Sequence, residues 1–252
     1  MKKMQRDCYS CSTRLFTSRL ILLIFVLFGA YRHGSILADE LPAETVGEDT
    51  GTVVGTVVFV PSPEHPWRLG RYYIKNAKSG ELAEAVVALT SRGLKASDTD
   101  RQPVTVVVDQ KNFQFTPETT AIRAGDRVRF LNSDDQSHNV KTAHSKFSFN
   151  VTMPVGGEHV TTFESAGGIN QPYKIDCVFH SAMHAWIYVF DHPWYQVTSA
   201  DGRFELQGVP PGEYRLDVAH PAGGWRYRET IEVVAGKTHE VQVRIKADQD
   251  KR

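Results

Sequence analysis

The run Cys177-Val178-Phe179-His180-Ser181-Ala182-Met183 places a thiol, an imidazole and a thioether within seven residues. A second imidazole, His138, lies upstream in Asp134-Asp135-Gln136-Ser137-His138-Asn139-Val140. Two imidazoles, one thiolate and a weak thioether are the donor set of a blue-copper electron-transfer site. Soft sulfur selects copper over harder cations, and a short Cys-to-His-to-Met loop lets three donors converge on one ion. His184 adjoins Met183 and competes with it for the axial place. His144 and His192 stand outside the cluster and are read as surface or packing residues.

Cysteine usage bears on the same site. The chain has three cysteines, Cys8, Cys11 and Cys177. The first two precede an apolar stretch, residues 20–30, which follows Lys2, Lys3, Arg6, Arg14 and Arg19. A basic flank, a short apolar core and small residues up to Ala38 read as an export signal over residues 1–38. The apolar core is shorter than the roughly 18 residues of a spanning helix. Membrane association is expected only if this segment stays uncleaved. Its removal leaves Cys177 alone, and a solitary cysteine in an oxidising compartment forms no internal disulfide. Beside His180 and Met183 it reads as a metal ligand.

The 252 residues suit one or two domains with sizeable cores. Residues 1–38 carry six Lys/Arg against one Asp, which leaves 23 basic and 28 acidic residues beyond them, a net charge of −5. That balance argues against nucleic acid as a partner, since phosphate contacts need clustered Lys and Arg.

The elements that must position the donors are strands. Residues 39–50 are acidic and small and read as a flexible lead-in. Beyond them, short runs rich in β-branched and aromatic residues recur between Gly, Pro, Asn and Asp clusters. Examples are Val53–Phe59, Ala85–Leu89, Val104–Val108, Arg127–Leu131, His159–Phe163, Trp186–Phe190, Tyr214–Val218 and His239–Ile245. The expected class is all-β, built of antiparallel sandwiches. Gly125-Asp126 marks a tight turn before the strand that leads to His138, and another strand near Tyr173–Asp176 ends at Cys177. Neighbouring strands then bring the two ligands to one end of a sandwich.

Three blocks in order, Gly125-Asp126-x-Val128-x-Phe130-x-Asn132, His138-Asn139-Val140 and Cys177-x-x-His180-x-x-Met183, resemble the cupredoxins, with a ligand loop similar to that of amicyanin and of methylamine-utilisation-type exported cupredoxins. The resemblance covers roughly residues 104–191 and implies a Greek-key sandwich. It implies one type 1 copper ion with His138, Cys177 and His180 as equatorial ligands, Met183 as the weak axial one, and Asn139 bracing the loop. Phe179 stands where the family often has proline, and Gln171-Pro172-Tyr173 replaces its usual Pro-Gly-x-Tyr.

The C-terminal stretch, with Asp201-Gly202 read as a hairpin turn and Pro210-Pro211-Gly212 as a second turn, resembles carboxypeptidase regulatory-like modules, which are small transthyretin-like sandwiches. Such modules open with a Gly-x-Val-x-Gly-x-Val strand and an Ala-x-Val-x-Leu strand, found here far upstream at Gly51–Val57 and Ala85–Leu89. Residues 51–95 and 193–247 are therefore expected to form one sandwich split by the copper domain. Carbohydrate binding by Trp225 and Tyr227 is a weaker expectation.

The favoured function is an exported, periplasmic or extracellular one-electron carrier that meets a redox partner protein transiently. The alternatives are a copper-binding or storage protein without redox turnover and a metal-free interaction module. No enzymatic activity is expected, because four protein donors leave no open position for substrate.

Overall fold

The computed structural model describes residues 49–62, 73–74, 76, 78–95, 100–221 and 224–246. The expected signal segment and most of the lead-in lie outside the described residues. In chain order the strands are β1 (Gly51–Val60), β2 (Val86–Thr90), β3 (Thr105–Lys111), β4 (Gln114–Thr116), β5 (Thr119–Arg123), β6 (Arg127–Asn132), β7 (His138–His144) and β8 (Phe147–Met153). They continue as β9 (Glu158–Thr162), β10 (Tyr173–Asp176), β11 (His184–Phe190), β12 (Tyr195–Val197), β13 (Arg203–Val209), β14 (Gly212–His220), β15 (Trp225–Val233) and β16 (Thr238–Lys246). The one helical element among the described residues is a 3-10 turn, Gly168–Asn170.

These strands form four sheets, ordered β4-β3-β6-β9, β5-β11-β10-β7-β8, β13-β1-β16 and β12-β2-β14-β15. The first two face each other around a core that includes Val108, Val128 and Phe130 on one side and Ile122, Ile175, Ile187 and Val189 on the other. Inward residues alternate along each strand, as the period-2 geometry of a strand requires. The other two sheets enclose a second core, with Val53, Val57, Val243 and Ile245 opposite Val87, Leu89, Leu216 and Val218, and with Trp194 and Trp225 as its largest members.

The second sandwich draws strands from both ends of the chain. β1 is the central strand of its sheet, antiparallel to β13 and parallel to β16, with Val57 opposite Val243. β2 lies between β12 and β14 in the facing sheet. Gly55 fits here because a Cβ would meet the Val241 carbonyl oxygen at 2.2 Å and the Phe204 ring at 2.7 Å. The glycine lets another backbone and an aromatic ring lie against β1.

One turn expectation needs correction. Asp201-Gly202 joins β12 to β13, and Pro210-Pro211-Gly212 joins β13 to β14, yet in each case the two strands belong to different sheets. Asp201-Gly202 therefore makes no hairpin. Turn residues set local φ and ψ, and Gly202 does adopt a φ of 70°, but they do not dictate which sheet the next strand joins. Trp225 is buried in the core and offers no sugar-binding face.

A third apolar cluster joins the two sandwiches. Val86 and Ala88 of β2 and Ala219 of β14 pack against Tyr188 and Phe190 of β11 and against Ile169. β11 is thus buried on both faces: Ala185, Ile187 and Val189 face the core of its own sandwich, while Trp186, Tyr188 and Phe190 face the neighbouring sandwich. This matters for function, because β11 begins at the residue after Met183.

Candidate metal centre

The three motif blocks each have a local physical reason. Asp126 is buried and its carboxylate accepts bonds from Arg101 Nη2 at 2.7 Å, Val104 N at 2.8 Å and Arg123 N at 2.9 Å. It thereby closes the turn at Gly125, whose φ is 89°. Asn132 ends β6 and donates through Nδ2 to the carbonyls of Gln136, Met153 and Pro154. That amide folds the 133–137 loop back so that His138 opens β7. Asn139 follows; its Oδ1 accepts Val178 N at 3.1 Å, and its Nδ2 donates to Val151 O at 3.2 Å and to Asn150 Oδ1. One side chain therefore links β7, β8 and the residue next to Cys177.

The Cys177–Met183 loop is closed by its own backbone. Met183 N donates to His180 O at 2.9 Å, and Cys177 N donates to Met183 O at 3.1 Å. The result brings His138, Cys177 and His180 together, with a ring nitrogen of each histidine and the thiol sulfur all within 4.8 Å of one another. The His138 and His180 Nδ1 atoms are 3.1 Å apart, and Cys177 Sγ is 3.8 Å from His180 Nδ1. His138, Cys177 and Met183 are buried and His180 is partly exposed. Met183 packs in the same core as Cys177. His184 turns elsewhere, with its Nε2 3.4 Å from Glu118 Oε1. Of the remaining histidines, His144 packs on the Tyr173 ring and His192 is buried beside Trp194.

Three contributors were not apparent from spacing. Asp134 Oδ2 lies 2.7 Å from His138 Nε2, which directs the opposite nitrogen, Nδ1, into the cluster. The same carboxylate accepts Asn112 N at 2.5 Å and Phe113 N at 2.9 Å. Burial works against ionisation of Asp134, but the hydrogen bonds from Phe113 N, His138 and Asn112 N outweigh it and hold the carboxyl below its usual range. The contacts with Asn112 and Phe113, both at positive φ, fix the β3–β4 turn. That turn sets the Phe113 ring edge-on to His138 and His180, at centroid distances of 5.5 and 4.9 Å. Gln110 is the third: its Nε2 donates to Asn139 O at 3.1 Å. The available signal was a carboxylate four residues before a candidate ligand histidine, since ligating imidazoles usually donate their other N–H to a carboxylate or carbonyl.

The donor set suits copper. Two imidazole nitrogens and a thiol converge in a buried pocket, a soft N/N/S combination that a hard oxygen-seeking cation would not use.

An all-β Greek-key-type sandwich with a His–Cys–His cluster at one end defines the cupredoxin class. Residues 102–189 match the family model of copper binding proteins of the plastocyanin/azurin family, and this stretch is a cupredoxin domain. Among solved structures, amicyanin from Paracoccus versutus is 24% identical at a TM-score of 0.31, covering 41% of this chain and 97% of that chain. The reduced state of an amicyanin proline-to-phenylalanine mutant is 21% identical at a TM-score of 0.31, covering 41% of this chain and 98% of that chain. The Cu(I) form of a methionine-to-alanine amicyanin mutant is 19% identical, with the same score and coverage. No curated protein sequence matches the chain.

Proposed function

We propose that this is an exported blue (type 1) copper protein that carries single electrons between redox partners. The observation that carries the reading is the buried convergence of His138 Nδ1, Cys177 Sγ and His180 Nδ1. His138, Cys177 and His180, with Met183 beside them, would hold one copper ion. Copper in such a site supplies a one-electron couple between its cuprous and cupric states. The chain's contribution is rigidity. His138 is fixed by Asp134, the loop by Asn139, and the loop's two ends by the Cys177–Met183 backbone bond.

His180 is the electron port, because it is the ligand that reaches the surface. Around it Phe113, Val178 and Phe179 expose their apolar side chains, roughly half of each being accessible, and Ala182 is exposed beside them. A small apolar face suits brief encounters with a redox partner, which bury little area. The flanking sandwich, on this reading, is a carboxypeptidase regulatory-like module into which the copper domain is inserted. It has no catalytic role.

Copper reconstitution followed by visible spectroscopy and voltammetry tests the proposal. One copper per chain, intense thiolate-to-copper charge-transfer absorption and a reversible one-electron wave support it. Bound copper without a reversible wave would identify a storage or binding protein, and no uptake at all a metal-free interaction module.

A further inference from the structure

Among the described residues, Glu118 links the flanking sandwich to His184, the residue that follows the Cys177–Met183 loop. Glu118, between β4 and β5, holds the first turn of β11 at two points. Its backbone carbonyl accepts Trp186 N at 2.8 Å, and its Oε1 lies 3.4 Å from His184 Nε2. His184 directly follows Met183, and its ring packs edge-on against Trp186 at 4.7 Å. The other carboxylate oxygen, Oε2, accepts the Tyr73 hydroxyl at 2.6 Å. Tyr73 belongs to the flanking sandwich: it is part of that core, its carbonyl accepts Ala83 N at 2.9 Å, and its ring packs edge-on against His220.

A second anchor lies alongside. Glu84 Oε2 accepts Thr119 N at 2.9 Å. Glu84 has a φ of 61°, a left-handed conformation that side chains disfavour. Unfavourable backbone conformations persist where the surrounding contacts over-determine them. Here those contacts are Glu84 N to Thr198 O and the carboxylate bond to β5. Tyr73 and Glu84 therefore grip Glu118-Thr119 from one side, while Glu118 grips His184 and Trp186 on the other.

We propose that Glu118, anchored by Tyr73, is a positioning residue through which the flanking sandwich fixes the axial end of the Cys177–Met183 loop. The inference rests on the reading of that loop as the copper ligand loop. It gives the second sandwich a role beyond spacing, because the geometry at Met183 depends on a hydroxyl contributed from the other core. An axial donor is weak and long, and its placement tunes the potential of a blue-copper site.

The test uses the full chain. Tyr73→Phe keeps the ring and removes only the hydroxyl; Glu118→Ala removes the link itself. Arg226→Ala is the control, since Arg226 Nη1 donates to Ile169 O at 2.6 Å across the same interface without touching Glu118. Both Tyr73→Phe and Glu118→Ala should retain one copper. They should shift the reduction potential in the same direction and change the charge-transfer spectrum. Arg226→Ala should leave both at wild-type values. Tyr73→Phe should add nothing in a Glu118→Ala background, because the two act as one coupled unit. In the copper-free protein, Tyr73→Phe should also move the His184 ring resonances. Unchanged potential, spectrum and His184 resonances in a blue Tyr73→Phe protein would overturn this inference and leave the copper reading standing. An equal shift in Arg226→Ala would overturn it too, since the effect would then be general loosening of the interface. A wild-type chain that takes up no copper would remove the copper reading, and this inference with it.

Discussion

The flanking sandwich and the loop end of the copper sandwich treat their buried polar groups in opposite ways. In the flanking sandwich each of several buried groups faces a structural partner. Asp217 is met by Arg215 Nε at 2.7 Å and Arg228 Nε at 3.1 Å, and Thr198 Oγ1 donates to Leu82 O and accepts Ala85 N. At the loop end of the copper sandwich the donors face one another. His138, His180 and Cys177 converge from two strand ends, and the bracing groups, Asp134 and Asn139, hold them from behind. Closed networks add stability, because an unpaired buried polar group is costly. Donors aimed at a common point in a buried pocket sacrifice some of that stability for metal binding. The comparison teaches why the proposed function is read from the end of one sandwich, where donors face one another, and not from the other, where polar groups are paired.

The sandwiches also differ in chain continuity, and this difference can be broken most forcefully. The copper sandwich is contiguous, whereas β1, the middle strand of one flanking sheet, and β2, an inner strand of the other, come from before it. A fragment of residues 193–252 should therefore remain unfolded, having lost an inner strand of each sheet and the apolar partners Val53, Val57, Val87 and Leu89. A fragment of residues 100–192 keeps its own core and should fold and bind copper. Dispersed amide resonances from the isolated tail would reject the contrast. Next in size, Cys177→Ser should abolish the charge-transfer colour, because a hydroxyl does not replace a thiolate at neutral pH. It should also remove the copper-dependent stabilisation, about 4 kcal/mol at free metal 1,000-fold above the dissociation constant. Denaturation monitored with and without copper would measure it; persistent blue colour in the variant would rule out the ligand assignment.

How much of this was legible in the sequence follows from the range of the contacts involved. The Cys177–Met183 spacing could be read directly, because the loop closes on itself within seven residues. A strand with one buried face, such as β16, showed its alternation, with Val241, Val243 and Ile245 inward and Glu240, Gln242 and Arg244 outward. β5 did not: Thr119, Thr120 and Ile122 are buried and Ala121 packs on the neighbouring sandwich, so burial on both faces erases the period. Asp134 and Phe113 were missed because their encounter spans about 21 residues and depends on strand register. Nor does any local feature announce that Tyr73 meets Glu118, 45 residues away.

Acid should separate the two sandwiches further. Burial lowers the pKa of His220, and likewise of His192, from 6.5 to about 4. Both are buried on the flanking side, His220 against Tyr73 and His192 against Trp194. Their folded pKa values lie below the unfolded ones, so the unfolded chain binds protons first as pH falls. Stability is then complete above about pH 6.5 and declines towards pH 4. Each histidine should cost about 2 kcal/mol between pH 7 and pH 5. Chemical denaturation across that range should show the uptake of up to two protons on unfolding. A flat profile would mean that both rings titrate normally, and uptake of a single proton that one of them does.

The smallest effect probes the clamp behind the metal centre. Asp134 makes three bonds, to His138 Nε2, Asn112 N and Phe113 N, so its removal both frees the imidazole and unpins the turn carrying Phe113. Asp134→Ala should weaken copper binding by about 10- to 100-fold, the usual consequence of losing the group that orients a ligating histidine. Asp134→Asn is the finer test. Its amide oxygen can still accept from the histidine, but it lacks the charge that strengthens the bond, so its affinity should fall between wild type and Asp134→Ala. Competition with a copper chelator would rank the three. If the asparagine variant binds as weakly as the alanine variant, the carboxylate charge holds His138. If it binds like wild type, shape and hydrogen-bond geometry suffice, and the clamp works as the closed networks of the flanking sandwich do.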